Sequence, residues 1–262
     1  MVKVRLIPVL YILNGLIVRS EGFHVHQNIG NIVNQAQRYN EWDVDELIYI
    51  DITRQGSYNL GRDDHRIESY SNMGEIISRI GAVCFMPLTF GGGIRTVEDA
   101  EFRIRLGADK ITMNTAAIKT PQLVQQVANR FGSQAVVASI DYRVVDGEAV
   151  VHTDFGCTNS GVSVSEMVRR CIDTGAGEIL LTCIDRDGMA SGYDLRTTAS
   201  VVSMSKVPVV ACGGAGDFHD FVELARETGV SGIAAGNIFH FTERSYPRAK
   251  QLLAREGINV RI

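Results

Sequence analysis

Four carboxylates stand at the ends of apolar, strand-like runs: Asp51 closes "ELIYID", Asp141 closes "QAVVASID", and Asp185 and Asp187 fall in "CIDRDG". A carboxylate in such a place can work as a general acid or base once partial desolvation lifts its pKa toward neutrality. Asp141 is preferred because it closes its strand in the register that its half of the chain predicts, whereas Asp185 suits a turn contact equally well. Glycine clusters accompany the acids. "GGG" at 91–93 leads on to Asn114 and Thr115, and "GG" at 213–214 leads on to Gly236 and Asn237. Glycines let backbone N–H groups approach an anion closely; the bland alternative is that they only permit tight turns between strand and helix. Two such cradles point to a ligand with two phosphates, or to a nucleotide-like molecule spanning both. A third set, Arg5, Glu46, Lys110 and Glu178, falls at the opposite, N-terminal ends of strands. Buried charge is costly unless paired. Two acids and two bases would form a neutral plug, and on physical grounds a stabilising ion-pair cluster is the first reading.

These groups need a scaffold that gathers strand ends. Apolar runs of strand length alternate with amphipathic stretches at 4–10, 46–52, 85–90, 108–114, 134–141, 177–185, 207–214 and 230–236. Their near-continuous, β-branched hydrophobicity suits strands covered on both faces, as in a parallel sheet. Helix-start signals lie between them: Thr96 three residues before Asp99, Ser163 three before Glu166, and Thr120 before Pro121. Alternation of this kind predicts βα units with right-handed crossovers.

The chain also repeats itself. "FGGGIRTVEDAEFRIRLGADKITMNTAAI" (90–118) matches "CGGAGDFHDFVELARETGVSGIAAGNIF" (212–239), with Gly92 paired to Gly213 and Gly107 to Gly229. Glu46 matches Glu178, and "IPVLYILNG" laid on "VASIDYRVVDG" sets Tyr11 opposite Asp141. Two halves of about four βα units each predict an α/β fold, a single (β/α)8 TIM barrel built from two duplicated half-barrels and spanning 1–262 as one domain. In such barrels the functional groups sit at the C-terminal ends of the strands.

The length of 262 residues suits that architecture, and 45% hydrophobic residues, 21% charged residues and a net charge of −4 describe an ordinary soluble protein. The basic residues are scattered and outnumbered, so no nucleic-acid footprint is expected. The apolar N-terminus is broken by Lys3, Arg5 and Asn14, is too short for a bilayer span and has no small-residue cleavage site. A cytoplasmic protein without membrane association follows as the expectation. Five widely spaced cysteines without a Cys-x-x-Cys pair read as reduced thiols in the core, and neither a metal nor a cofactor is implied.

Together "FGGGI", "ADKITMNTAA", "FGSQAVVASID", "GAGEILLTCIDRDGMASGYD", "CGGAG" and the C-terminal "FHF" and "GINVR" resemble the HisF family, the cyclase subunit of imidazole glycerol phosphate synthase, nearly end to end. The resemblance implies a (β/α)8 barrel with a HisH-like class I glutaminase docked at its bottom. Ammonia passes a ring of four charged residues, runs through the barrel and reacts at the top. The ring falls on Arg5, Glu46, Lys110 and Glu178. The phosphate sites fall on Gly93, Asn114 and Thr115 in one half. In the other they fall on Asp187, Gly188, Gly214, Gly236 and Asn237, the last replacing the family's usual serine. Asp51 and Thr182 complete the substrate-facing set.

Two departures stand out. Of the family's two catalytic aspartates, Asp141 is present, but position 11 carries a tyrosine, and the lysine of the loop after the first strand is replaced by Arg19. A phenol, with an ordinary pKa of about 10, is a poor acid–base substitute for a carboxylate at neutral pH, and an arginine does not shed its proton. The polar segment 53–72 is also longer than the family leads one to expect.

A retained gate, mostly retained cradles and one lost carboxylate resemble a HisF-like paralogue group, including the one called WbuZ, associated with amidation of sugars in bacterial surface polysaccharides. That resemblance implies a barrel that accepts ammonia from a glutaminase and passes it on, with a separate ATP-dependent amidotransferase as third partner. The sequence favours this reading, with Asp141 as the remaining acid–base residue. The alternative is the cyclase subunit of histidine biosynthesis, a lyase acting with ammonia on a bis-phosphorylated ribonucleotide, with Tyr11 or the long loop compensating. A third reading is a non-catalytic scaffold that activates the glutaminase.

Overall fold

Side-chain alternation along the first strand sets the architecture. In β1 (Arg5–Leu13), Leu6, Leu10 and Ile12 join a core shared with the surrounding helices, while Ile7, Val9 and Tyr11 join a separate inner core. Successive strand residues point to opposite faces, so one strand is buried on both sides, as its unbroken hydrophobicity requires. A computed structural model describes residues 3–54, 58, 70, 72–240 and 242–262. Most of the long polar segment 53–72 therefore lies outside the described residues.

β1 runs on into a hairpin of β2 (Leu16–Glu21) and β3 (Val25–Gly30). Then follow α1 (Ile32–Glu41), β4 (Leu47–Asp51), α2 (Met73–Gly81), β5 (Leu88–Gly91), α3 (Val97–Arg105) and β6 (Lys110–Met113). The short α4 (Thr115–Lys119) and α5 (Pro121–Phe131) lead to the second half. There β7 (Val136–Val145) runs on into its own hairpin, β8 (Glu148–Thr153) and β9 (Thr158–Ser163). After it come α6 (Val164–Asp173), β10 (Glu178–Cys183), α7 (Leu195–Met204), β11 (Val209–Cys212), α8 (Phe218–Thr228), β12 (Gly232–Ala235) and α9 (Ser245–Arg255). Among the described residues, β1, β4, β5, β6, β7, β10, β11 and β12 pair in parallel in that order. β12 pairs back on β1, Arg5 facing Gly232 and Pro8 facing Ala235, which closes a (β/α)8 barrel.

The caps fall where the sequence places them. Thr96 and Asp99 form a reciprocal capping box at the start of α3, Ser163 accepts from the Glu166 N–H at the start of α6, and Pro121 opens α5. Three expectations need correction. The apolar run 85–90 yields a strand only from Leu88, because Phe85 lies in the approach loop and is 88% exposed. The barrel strands β1 and β7 do not stop at Tyr11 and Asp141; each continues into an antiparallel hairpin that apolar-run reading overlooked. Of the five cysteines, only Cys171, Cys183 and Cys212 are buried; Cys84 is half-buried and Cys157 exposed. No helix among the described residues is long and apolar enough to cross a membrane.

The duplication is visible in the backbone itself. Gly92 and Gly213 both adopt positive φ, 95° and 93°. A Cβ on Gly92 would lie 2.1 Å from the Asp51 carbonyl oxygen, and one on Gly213 would lie 2.6 Å from that of Cys183. Each glycine lets its loop press against the end of the preceding barrel strand, and no other residue fits there.

Candidate functional site

The inward faces of five strands connect the two ends of the barrel. Arg5 and Tyr11 share the inner face of β1, Glu46 precedes Ile48 and Ile50, Lys110 precedes Thr112 and Asn114, and Glu178 precedes Leu180 and Thr182. On β7 the same parity gives Val137, Ser139 and Asp141. At about 3.3 Å per residue, the bottom and mouth positions are roughly 20 Å apart along β1.

At the bottom the four predicted charges form a closed ring. Arg5 donates to Glu46 at 2.6 Å and also to Glu178, while the Lys110 ammonium reaches Glu46 at 2.9 Å and Glu178 at 2.8 Å. Thr89 adds a hydroxyl donor to Glu46 at 3.1 Å. Burial alone would raise the Glu178 pKa, but Arg5 and Lys110 outweigh it and hold the carboxyl below its ordinary value. Burial works against the Arg5 cation too, and the two glutamates more than offset it. Each buried carboxylate therefore meets two cations, the condition under which such charges are tolerated.

At the mouth, Asp141 and Tyr11 occupy equivalent places. Each stands where its barrel strand begins antiparallel pairing with its hairpin, Tyr11 opposite Val18 and Asp141 opposite His152. In the parallel direction Tyr11 faces Ile50 and Asp141 faces Thr182. Burial pushes the Asp141 carboxyl up to about 7, with the Asp187 charge adding to the effect and hydrogen bonds from Ser139 and Thr182 opposing it. The Ser139 hydroxyl lies 3.1 Å from Asp141 Oδ1. Tyr11 is 8% exposed and packs edge-on against Phe23 of the first hairpin tip, ring centroids 6.0 Å apart. Burial, reinforced by Asp187, Cys212 and Asp141, raises its phenol well above the ordinary range. Tyr11 therefore keeps its phenolic proton at physiological pH.

The structure brings the second-half candidate residues together. Gly188, Gly214, Gly236 and Asn237 line one cleft together with Tyr11, Asp187 and Cys212. Ser20 of β2 stitches it together: its hydroxyl donates to Asp187 at 2.7 Å, and its carbonyl accepts from the Asn237 amide at 2.8 Å. Burial raises the Asp187 carboxyl, against the opposing bond from Ser20. In the first half, Asn114 donates to the Ser139 carbonyl at 3.2 Å, and the Thr115 hydroxyl donates to Asn114 at 3.2 Å. Gly93 adopts positive φ, 65°. Asp51 accepts from the Thr53 N–H at 2.9 Å and the Tyr58 hydroxyl at 3.1 Å, and burial raises its carboxyl. Asp185 takes the turn role: it accepts from Arg143 at 2.6 Å and from the Val144 N–H at 2.9 Å. Arg19 is paired with Glu21 on its own strand at 2.8 Å.

Residues 5–245 match the family model described as "Histidine biosynthesis protein". The chain is 40% identical over 263 residues to the imidazole glycerol phosphate synthase subunit HisF of Gluconacetobacter diazotrophicus, covering 100% of this chain and 97% of that one. It is 40% identical over 261 residues to the HisF subunit of Hyphomonas neptunium, covering 100% and 99%. The HisF subunit of Natranaerobius thermophilus is 37% identical over 262 residues, with both chains covered in full. This chain belongs to the HisF family.

Two features of this HisF-family barrel escaped the sequence reading. Ser20 carries no motif, and only the fold brings β2 against the loops after β10 and β12. Arg103 of α3 is 7% exposed and donates to the Gly92 carbonyl at 2.7 Å, directly behind the first glycine cradle. The internal repeat does hold a signal for Arg103. Aligning the capping boxes Thr96–Asp99 and Asp217–Asp220 sets it opposite Leu224, a fully buried core residue.

Proposed function

We propose that this chain is the cyclase-type subunit of an imidazole glycerol phosphate synthase, taking ammonia from a partner glutaminase at the barrel bottom and using it at the mouth on a bis-phosphorylated ribonucleotide. The relatives favour this alternative over sugar amidation, which none of the names above supports. One observation carries the proposal. Asp141 stands at the mouth end of β7 opposite Thr182, burial pushes its carboxyl up to about 7, and the charge of Asp187, which lines the second cradle, adds to the effect. A carboxyl of that pKa both gives and takes a proton near neutral pH. The cradles hold the two phosphates, the first through Gly93, Asn114 and Thr115, the second through Gly188, Gly214, Gly236 and Asn237, with Asp51 and Thr182 beside the reacting part.

At the bottom, Arg5, Glu46, Lys110 and Glu178 act as the gate. Neutral ammonia enters when one ion pair opens. Arg5 engages both glutamates through a rigid fork, whereas Lys110 is a point charge on a flexible stem and is the arm that swings. A HisH-like glutaminase docks on this face.

One specific observation keeps a second reading in play. Tyr11 stands where the repeat sets a carboxylate, and its raised phenol cannot serve as a base. Ammonia delivered to another acceptor, such as a surface sugar with a separate ATP-dependent amidotransferase, requires only the gate and the interior. Complementation of a histidine auxotroph separates the two. Growth together with ammonia-dependent turnover in vitro supports the cyclase; no growth, with glutaminase activation retained, supports the second reading.

A further inference from the structure

Arg103 presents an energetic problem that the packing of the barrel does not solve. Its guanidinium is buried, donating to the Asp99 carbonyl at 2.8 Å and the Gly92 carbonyl at 2.7 Å. Its Nε has no partner among the described residues, and none of their carboxylates comes within ion-pair distance. Asp99 and Asp51 attract it only from further away. Asp99 is occupied with the Arg95 and Thr96 N–H groups, and Asp51 with Thr53 and Tyr58. Burial accordingly lowers the Arg103 pKa. A buried cation that meets no carboxylate among the described residues costs stability, and the other half of the same barrel avoids that cost with Leu224. The helix position therefore does not require an arginine for packing.

The guanidinium lies immediately behind the first cradle, its Nη2 3.6 Å from the place a Cβ on Gly93 would occupy. Its bond to the Gly92 carbonyl fixes the orientation of the Gly92–Gly93 peptide. We propose that Arg103 is the counter-charge and positioning residue of the first cradle, making it the stronger of two anion sites and the one that takes a dianionic phosphate ester. The proposal rests on the mouth being a two-phosphate site. It adds an asymmetry, since the equivalent helix of the second half supplies no cation at this position.

Amide NMR titration of the full chain with inorganic phosphate tests both levels separately. In the wild type the Gly93 and Gly214 amides both shift, with the tighter constant at Gly93. Arg103→Met weakens the Gly93 site roughly ten- to hundredfold, the range for a hydrogen-bonded charge, and leaves the Gly214 site unchanged. Arg103→Lys, which keeps the charge, restores most of the affinity. Free of phosphate, Arg103→Met melts no lower than the wild type, because a buried charge with no carboxylate partner among the described residues has been removed. If phosphate shifts neither amide in the wild type, the two-cradle reading falls. If both shift and Arg103→Met leaves the Gly93 site intact, the Arg103 proposal falls alone. A methionine variant that melts markedly lower, with lysine equally weak for phosphate, would make Arg103 a structural prop and overturn it as well.

Discussion

The two half-barrels share a backbone and differ in charge. Both carry a hairpin on their first strand, a glycine pressed against the preceding strand end, a capping-boxed helix and a glycine-lined cradle. Both halves place carboxylates at the mouth, Asp51 in the first and Asp141 and Asp187 in the second. The first half places Tyr11 at the position equivalent to Asp141, and supplies Arg5, Lys110 and Arg103. Duplication thus fixes where side chains point, while each half was free to choose what they carry. In a symmetric scaffold, a substitution that breaks the symmetry at a buried position is the place to look for function, because packing alone accepts the residue of the other half.

The largest effect should come from the acid that only the second half retains. Asp141→Asn keeps the shape and removes the proposed proton-transfer group, so ammonia-dependent turnover should fall by roughly 10²- to 10⁴-fold. The reciprocal change, Tyr11→Asp, makes the halves alike. If the chain performs cyclase chemistry with one carboxylate missing, this variant should raise turnover; a variant that folds and shows no gain would mean that the phenol is part of a different reaction.

At the barrel bottom both halves contribute a glutamate, but only the first contributes cations. Glu178→Ala leaves Arg5 and Lys110 sharing Glu46, and should cost about 3–5 kcal/mol in urea unfolding, as expected for an uncompensated buried charge. The sign with pH follows from the depressed Glu178 carboxyl. Its contribution is fully present above the unfolded value, about 4.3, and is lost as pH falls through the lower folded value. Stability of the wild type should therefore drop more steeply on acidification than that of the alanine variant.

The glycines allow the backbone half of the comparison to be measured. Gly92→Ala and Gly213→Ala both force a Cβ into a strand carbonyl at positive φ, so each should destabilise by more than the roughly 1–2 kcal/mol of the left-handed conformation itself. Gly229, φ 71° with open space around it, should lose only that smaller amount on substitution by alanine. Thermal melts of the three variants would reveal whether the two cradles are equally rigid.

The barrel and the grouping of its candidate site residues were legible in the chain because period, glycine spacing and self-similarity can be read from the order of residues alone. Arg5, Glu46, Lys110 and Glu178 were predicted as a set, and the strand register joins them into one ring. The hairpins were not legible. β3, "VHQNIG", and β9, "TNSGVS", lack the apolar runs that mark barrel strands, since they pair at the rim and bury little. Arg103 was missed for the opposite reason. On an amphipathic helix a lone arginine reads as solvated surface, and only the fold shows the guanidinium turned inward behind Gly92.

The smallest predicted effect concerns what pushes the Asp141 carboxyl up to about 7. Burial is the main cause and the neighbouring Asp187 charge a lesser one. Asp187→Asn should therefore lower the Asp141 pKa only modestly from about 7, as read by carboxyl NMR titration. A collapse to the ordinary carboxylate range, about 3.9, would mean that charge repulsion rather than desolvation sets the value. The same raised carboxyl has an opposite stability sign to Glu178. Folded Asp141 holds its proton more tightly than the unfolded chain does, so its contribution is fully present below about pH 4 and is lost as pH rises through about 7. The mouth and the bottom of one barrel thus favour opposite ends of the pH scale, and Asp141→Asn should flatten only the neutral limb of the stability profile.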